Sequence, residues 1–236
     1  RPGADPVANL SRPDTEGGMQ IESRQRELLR KLDSGTAERW SRHDAVESAI
    51  ANYELAFRMQ AAVPELLDVS GETELTKKLY GIDSEYVHTR TYATLCLLAR
   101  RLIERDVRFV ELTCPKVNAD RWDQHNGLRE GHQRNAQAVD RPIAGLLRDL
   151  KQRGMLEDTL VLWCTEFGRM PMFQQGASGR DHNPNGFTIW LAGAGVKTPF
   201  SYGATDEFGF KASEDVATPH DFHATLLHFL GLDHEQ

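Results

Sequence analysis

Apolar and polar positions change their period along the chain, and each change marks an element. Residues 22–33 and 36–62 read as two helices with a break at Ser34-Gly35. In the second, Ala45, Ile50, Tyr53, Phe57 and Met59 recur close to the helical period among charges, as on a helix pair packed against a neighbour. Pro64 and Ser70-Gly71-Glu72 end this region. From about residue 90 the character changes. Residues 91–105 read as an amphipathic helix, and Val107 to Leu112 alternate at period two, as a strand does. Residues 113–126 are a polar loop. Residues 130–153 form a helix with Ala138, Ile143, Leu146, Leu147 and Leu150 on one side, stopped by Gly154. Thr159 to Cys164 is an almost unbroken apolar run, which suits a strand buried on both faces in a parallel sheet. A loop over 166–185 leads to a strand at Phe187 to Leu191. His220 to Leu230 is helical, with Asp221 as its N-cap, Leu226, Leu227, Phe229 and Leu230 as core, and Gly231 as its end.

This order predicts three parts: an extended arm or linker over 1–21, a helical region over 22–89, and an α/β part over 90–236. The fold class expected for the last is α/β, with a mainly parallel, mixed sheet flanked by helices. The polar loops follow the C-terminal ends of apolar strands, where ligands of open α/β sheets bind.

Composition narrows the partners. A net charge of −7 and the lack of any Lys/Arg tract argue against nucleic acid. No stretch approaches the roughly 20 apolar residues of a membrane span. The chain opens Arg1-Pro2-Gly3-Ala4-Asp5-Pro6 without an initiator Met, and reads as the middle of a longer protein. The three cysteines form no C-x-x-C pair; Cys96 and Cys164 read as small buried hydrophobes, and Cys114 is harder to place.

Three loop clusters carry candidate chemistry. The first is Trp122-Asp123-Gln124-His125, where a carboxylate and an imidazole two residues apart can turn toward one divalent cation. Asp123 could equally cap a turn, and His125 could stand exposed. The second is Thr165-Glu166-Phe167-Gly168-Arg169, at the rim of the most apolar strand. There Arg169 can pair with Glu166 or hold an anionic substrate through its planar fork. The third is Gly179-Arg180-Asp181-His182-Asn183-Pro184, which could also be an ordinary turn. Together they bring carboxylates, imidazoles and guanidiniums to loops between core elements. Adjacent divalent cations beside arginines suit hydrolysis of phosphate or sulfate esters. His220 and His223 are a fourth place to look, with a structural role favoured. No G-x-S-x-G elbow, P-loop or H-E-x-x-H is present.

Several of these segments have counterparts elsewhere. "LEDTLVLWCTEFGR" resembles the "DNTLVIFTSDHG" type of segment in sulfatases and other alkaline-phosphatase-like enzymes. "VATPHDFHATLLHFLGLD" resembles their late "DLAPTLLDLAGL" helix. "WDQHNGLREGHQRNAQAVDRPIAGLLRDLKQRG" resembles their metal-binding Asp/His segment and following helix. More closely, "LARRLIERDVRFVEL", "WDQH", "TEFGRMP", "GRDHNPNGFTIWLAGAGVK" and "YGATDEFGF" resemble the bacterial family catalogued as domain of unknown function fifteen-oh-one, from about residue 40 to the end.

The resemblance implies an alkaline-phosphatase-like α/β core lacking its N-terminal half. It also implies one or two sites for zinc, calcium or manganese. Asp123, His125 and His182 would form one site and Glu166 would serve the other, with Asp181 as a compensating ligand. Arg169 and Arg180 would bind substrate, a small-molecule or carbohydrate ester. The superfamily usually has Asp-His where this chain has Glu166-Phe167. Its nucleophile lies in the N-terminal half, so the expectation is a metal-dependent hydrolase whose nucleophile precedes Arg1. Periplasmic or secreted location is implied by the family alone. A non-catalytic binding or surface module is the alternative, and a purely structural metal site is a third.

Overall fold

The computed structural model describes residues 24, 27–29, 31–33, 35, 44–117 and 121–235. The arm expected over 1–21 lies outside these. The described positions between 24 and 35 are helical, Gly35 included. The break expected at Ser34-Gly35 therefore does not fall on the glycine, a residue that a helix tolerates at a cost of about 1 kcal/mol.

The chain divides into two compact units, residues 1–71 and 72–236. The first contains α1 (Asp44–Leu67). Its expected stop at Pro64 comes one turn later. Proline lacks a donor but keeps its carbonyl, which accepts from Asp68 N at 3.1 Å. Ala45 and Tyr53 of the expected apolar stripe are exposed.

The second unit is built on three helices: α2 (Glu74–Tyr80), α3 (Val87–Ile103) and α4 (Leu128–Gln152). Thr73 caps α2 by accepting from Thr76 N at 3.1 Å. Gly81, at φ 92°, ends it in the left-handed conformation that favours glycine. On α3 the buried positions are Thr89, Tyr92, Ala93, Cys96, Leu97, Ala99 and Arg100. On α4 they include Gly131, Asn135, Ala138, Val139, Pro142, Gly145, Leu146, Asp149 and Leu150. Both sets follow the helical period, so one face of each helix enters the core.

The helices α2 and α4 come close together at Gly145. A Cβ there would lie 2.8 Å from Leu79 O and 2.9 Å from Tyr80 Cα. Both atoms are backbone and cannot swing aside, so Gly145→Ala is expected to destabilise the unit by about 1–3 kcal/mol. Urea unfolding checks this; an unchanged midpoint would show that the helices separate freely.

A charge network lies one turn along α4 from this contact. Arg100 Nη2 donates to Glu72 Oε1 at 2.7 Å and Nη1 to Glu104 Oε2 at 2.5 Å. Its Nε lies 3.1 Å from Asp149 Oδ2 as an ion pair, outside hydrogen-bonding geometry. Tyr80 OH donates to Asp149 Oδ2 at 2.9 Å, and Arg153 Nε donates to Asp149 Oδ1 at 2.8 Å. Burial works against the charge on Arg100, but Glu72 and Glu104 outweigh it and hold its pKa above the ordinary guanidinium value. Burial pushes the Tyr80 hydroxyl up, and the Asp149 charge adds to this.

The strands are short. β1 (Val161–Trp163) pairs antiparallel with β4 (Trp190–Ala192). β2 (Gly168–Arg169) pairs with β3 (His182–Asn183), and β5 (Ala204–Thr205) with β6 (Ala212–Glu214), both antiparallel. The protein is therefore a mixed α/β structure, but the mainly parallel sheet expected from the sequence is not what the described strands form. An apolar run reports burial and not the direction of its neighbour. Val107 to Leu112, expected as a strand, joins no ladder, and Phe109 is 78% exposed. Alternation gives a chain two faces without supplying a partner for its backbone. Cys96 is buried as expected, whereas Cys164, one residue past β1, is exposed.

The last helix, α5 (Pro219–Phe229), begins earlier than expected. Thr218, not Asp221, is the N-cap; Asp221 sits at the third position and closes a capping box, accepting from Thr218 N at 2.8 Å. Hydrogen bonds from Thr218 hold the Asp221 carboxyl below the usual range. Leu226, Leu227 and Phe229 are half-buried and Leu230 is exposed, so this helix adds no fully buried side chain.

Candidate metal centre

Two segments distant in sequence build the centre. Residues 121–127 form the loop that enters α4, and residues 166–183 form the β2–β3 hairpin with its long connection. They are knitted by backbone. Arg180 N donates to Gln124 O at 3.0 Å, Leu128 N to Ser178 O at 3.4 Å, and Gly127 N to Ser178 Oγ at 2.9 Å. Gly179 is where they touch: a Cβ there would lie 2.2 Å from Gln124 O and from the His125 carbonyl carbon. Only glycine allows this approach.

The hairpin register sets the side chains. Arg169 and His182 are cross-strand partners, so both project from the same face of the ladder. Next to His182, Asn183 is fully buried and donates to Phe210 O at 3.0 Å while accepting from Asn185 N at 3.1 Å. These bonds fix the strand from which the imidazole extends.

Asp123, His125 and His182 converge. His125 Nε2 lies 3.1 Å from Asp123 Oδ1, His182 Nε2 lies 3.0 Å from the same oxygen, and the two Nε2 atoms are 3.1 Å apart. Arg169 Nη2 donates to Asp123 Oδ1 as well. That hydrogen bond from Arg169 is the main reason the Asp123 carboxyl stays below the usual range; desolvation opposes it, and His182 adds to the lowering. His182 stacks at a tilt of 34° on Phe167, ring centres 4.4 Å apart. Side-chain exposures of 54%, 34% and 43% for Asp123, His125 and His182 leave the centre open on one side.

The donor set fits a divalent cation. His125 Nδ1 is 2.6 Å from Gln174 Oε1, an acceptor that favours the tautomer with its proton on Nδ1. In that tautomer Nε2 would present a bare lone pair toward the Asp123 carboxylate. A proton or a cation between them relieves this opposition. Zinc bound tetrahedrally at 2.0–2.2 Å would set its ligand atoms roughly 3.3–3.6 Å apart. The observed 3.0–3.1 Å spacings come within a few tenths of an ångström of that.

The other sequence candidates stand outside this triad. Glu166 is exposed and accepts from Thr165 Oγ1 at 3.0 Å. Asp181 accepts from His182 N at 2.8 Å. Arg180 Nη1 donates to Met170 O at 3.0 Å, and its guanidinium lies 5.2 Å from the Phe173 ring centre. The fourth cluster stays apart as well; His220 and His223 are exposed residues of α5.

Gln174 escaped sequence reasoning, since a polar residue in a loop has no period to betray it. It orients His125 from behind. Gln174→Leu is expected to weaken zinc binding about 10–100-fold, the usual effect of removing the partner of a ligating histidine. Titration against a chromophoric chelator measures it; unchanged affinity would remove Gln174 from the centre.

No curated protein and no solved structure matches the chain. A family model does, and its match extends the likeness from about residue 40 back to residue 1. Covering residues 1–236, that match shows that the chain belongs to the family described as Protein of unknown function (DUF1501).

Proposed function

We propose that this chain forms the metal-binding part of a hydrolase acting on sulfate or phosphate esters. The observation that carries this reading is the meeting of two imidazoles and one carboxylate oxygen within 3.1 Å, with Arg169 on the same oxygen. A divalent cation held there would act as a Lewis acid on an ester oxygen. Asp123 supplies the negative charge that favours the cation. Gln174 keeps His125 in the tautomer that offers Nε2. Arg169 brings a guanidinium with five donors, of which its contacts with Asp123 and with the Arg180 carbonyl at 3.3 Å use two.

The finer parts of the proposal rest on the sequence resemblance: an alkaline-phosphatase-like core, a nucleophile from outside these residues, a small-molecule or carbohydrate ester as substrate, and a periplasmic or secreted location. The test is hydrolysis of an aryl sulfate or aryl phosphate by the intact protein. Activity should vanish with a chelator and return with zinc, manganese or calcium. Activity indifferent to chelation refutes the proposal.

One observation favours a second reading, a non-catalytic module. Phe167 packs its ring on His182 where the sequence resemblance expects a ligand, and Glu166 lies outside the triad. On that reading the intact protein lacks bound metal and hydrolyses neither ester.

A further inference from the structure

We propose that Arg169 couples two ligands at this centre: it opposes a divalent cation at Asp123 and, once the cation is held, supplies charge and donors to a tetrahedral oxyanion, so that each ligand tightens the other. This rests on the metal reading above.

Crowding on a single oxygen is the first reason. Asp123 Oδ1 is met by Arg169 Nη2, by His182 Nε2 at 3.0 Å and by His125 Nε2 at 3.1 Å. One carboxylate oxygen offers about two lone pairs. A cation taking one of them draws the imidazoles to itself and leaves Arg169 on the other.

Charge is the second reason. With neutral imidazoles, Asp123 and Arg169 sum to zero. A divalent cation leaves the centre two charges positive. Coordinated to Oδ1, that cation lies within roughly 5 Å of the guanidinium nitrogen bonded to the same oxygen. Arg169 has little room to retreat. Its Nη1 is tied to the Arg180 carbonyl at 3.3 Å, Phe167 flanks it at 5.8 Å, and its side chain is only 21% exposed. The repulsion therefore stays until an anion cancels it. Asp123, 54% exposed, leaves the way open for one. The guanidinium fork matches the oxygens of sulfate or a phosphate group. Such coupling is reciprocal: the anion must tighten the cation by the factor with which the cation tightens the anion.

The test uses the 236-residue chain and zinc chloride at constant ionic strength, with or without millimolar sulfate or methylphosphonate. Either oxyanion should tighten zinc about tenfold in the wild-type protein. Arg169→Met should bind zinc about tenfold more tightly in chloride and gain nothing from either oxyanion. Arg169→Gln, neutral but able to donate to Asp123, is the second variant and must shift the same way. A gain with methylphosphonate alone assigns the site to phosphate-type ligands, and a gain with sulfate alone to sulfate; both uphold the coupling. If the wild type takes up no zinc, the metal reading fails and this inference with it. If zinc binds but neither variant binds it more tightly, or both keep the oxyanion gain, the metal reading stands and the coupling is refuted.

Discussion

Replacing Arg100 with methionine is expected to destabilise the second unit by about 3–5 kcal/mol, the range found when one partner of a buried ion pair is removed. Arg100 is 3% exposed and faces Glu72, Glu104 and Asp149, whose side chains are 14%, 28% and 7% exposed. Without the guanidinium, three carboxylates remain together in a poorly solvated place, with Arg153, Tyr80 and, 3.9 Å from Glu72, Arg101 beside them. The thermal midpoint should fall on the order of 10 °C for a unit of this size. Adding Glu72→Leu and Asp149→Leu to the methionine variant should recover much of the loss, because replacing buried charges together by apolar side chains is often neutral or better, and Glu104 keeps Arg153 as its partner. A single variant within about 1 kcal/mol of wild type would show that water already solvates these carboxylates.

Replacing Asp123 with alanine is expected to lower zinc affinity on the order of a hundredfold or more, since even partners behind a ligand cost up to that much. Asp123 supplies the only negative charge of the triad and the oxygen on which both imidazoles and Arg169 meet. Its exposure predicts little effect on the metal-free fold, within about 1 kcal/mol. Zinc at a hundredfold excess over its dissociation constant should raise wild-type stability by about 2.7 kcal/mol. The Asp123→Ala and His182→Ala variants should gain almost nothing at the same concentration. Metal content by mass spectrometry and melting curves with and without zinc measure both effects. A variant that keeps the zinc-dependent rise would show that the cation sits elsewhere.

What the sequence disclosed follows from what its patterns encode. The helices α3 and α4 were legible because their apolar positions repeat at the helical period over many turns. The strands were legible as apolar stretches, but their partners were not. Thr159 to Cys164 reads as a doubly covered parallel strand, yet its strand residues, Val161 to Trp163, pair antiparallel with Trp190 to Ala192. Val107 to Leu112 alternates correctly and pairs with nothing described. At the centre, residue type pointed to Asp123, His125 and His182. Glu166, expected at a second site, and Asp181, expected as a compensating ligand, lie outside the triad, because sequence does not reveal which way a side chain leaves a strand end. Gln174 gave no signal, and Gly179 read only as part of a turn; one acts through a single hydrogen bond and the other through the absence of a methyl group.

The triad draws its members from positions 57 and 59 residues apart. A cation held by all three would be a cross-link, pinning the entrance of α4 to the hairpin much as a covalent staple would. Closing so long a segment restricts the unfolded chain, and the gain grows only slowly with length. Neither segment alone can offer more than two of the three donors. Metal occupancy would then serve as a gauge of whether the distant halves have docked, and synthetic peptides copying either half should lose the ion as soon as the other is missing.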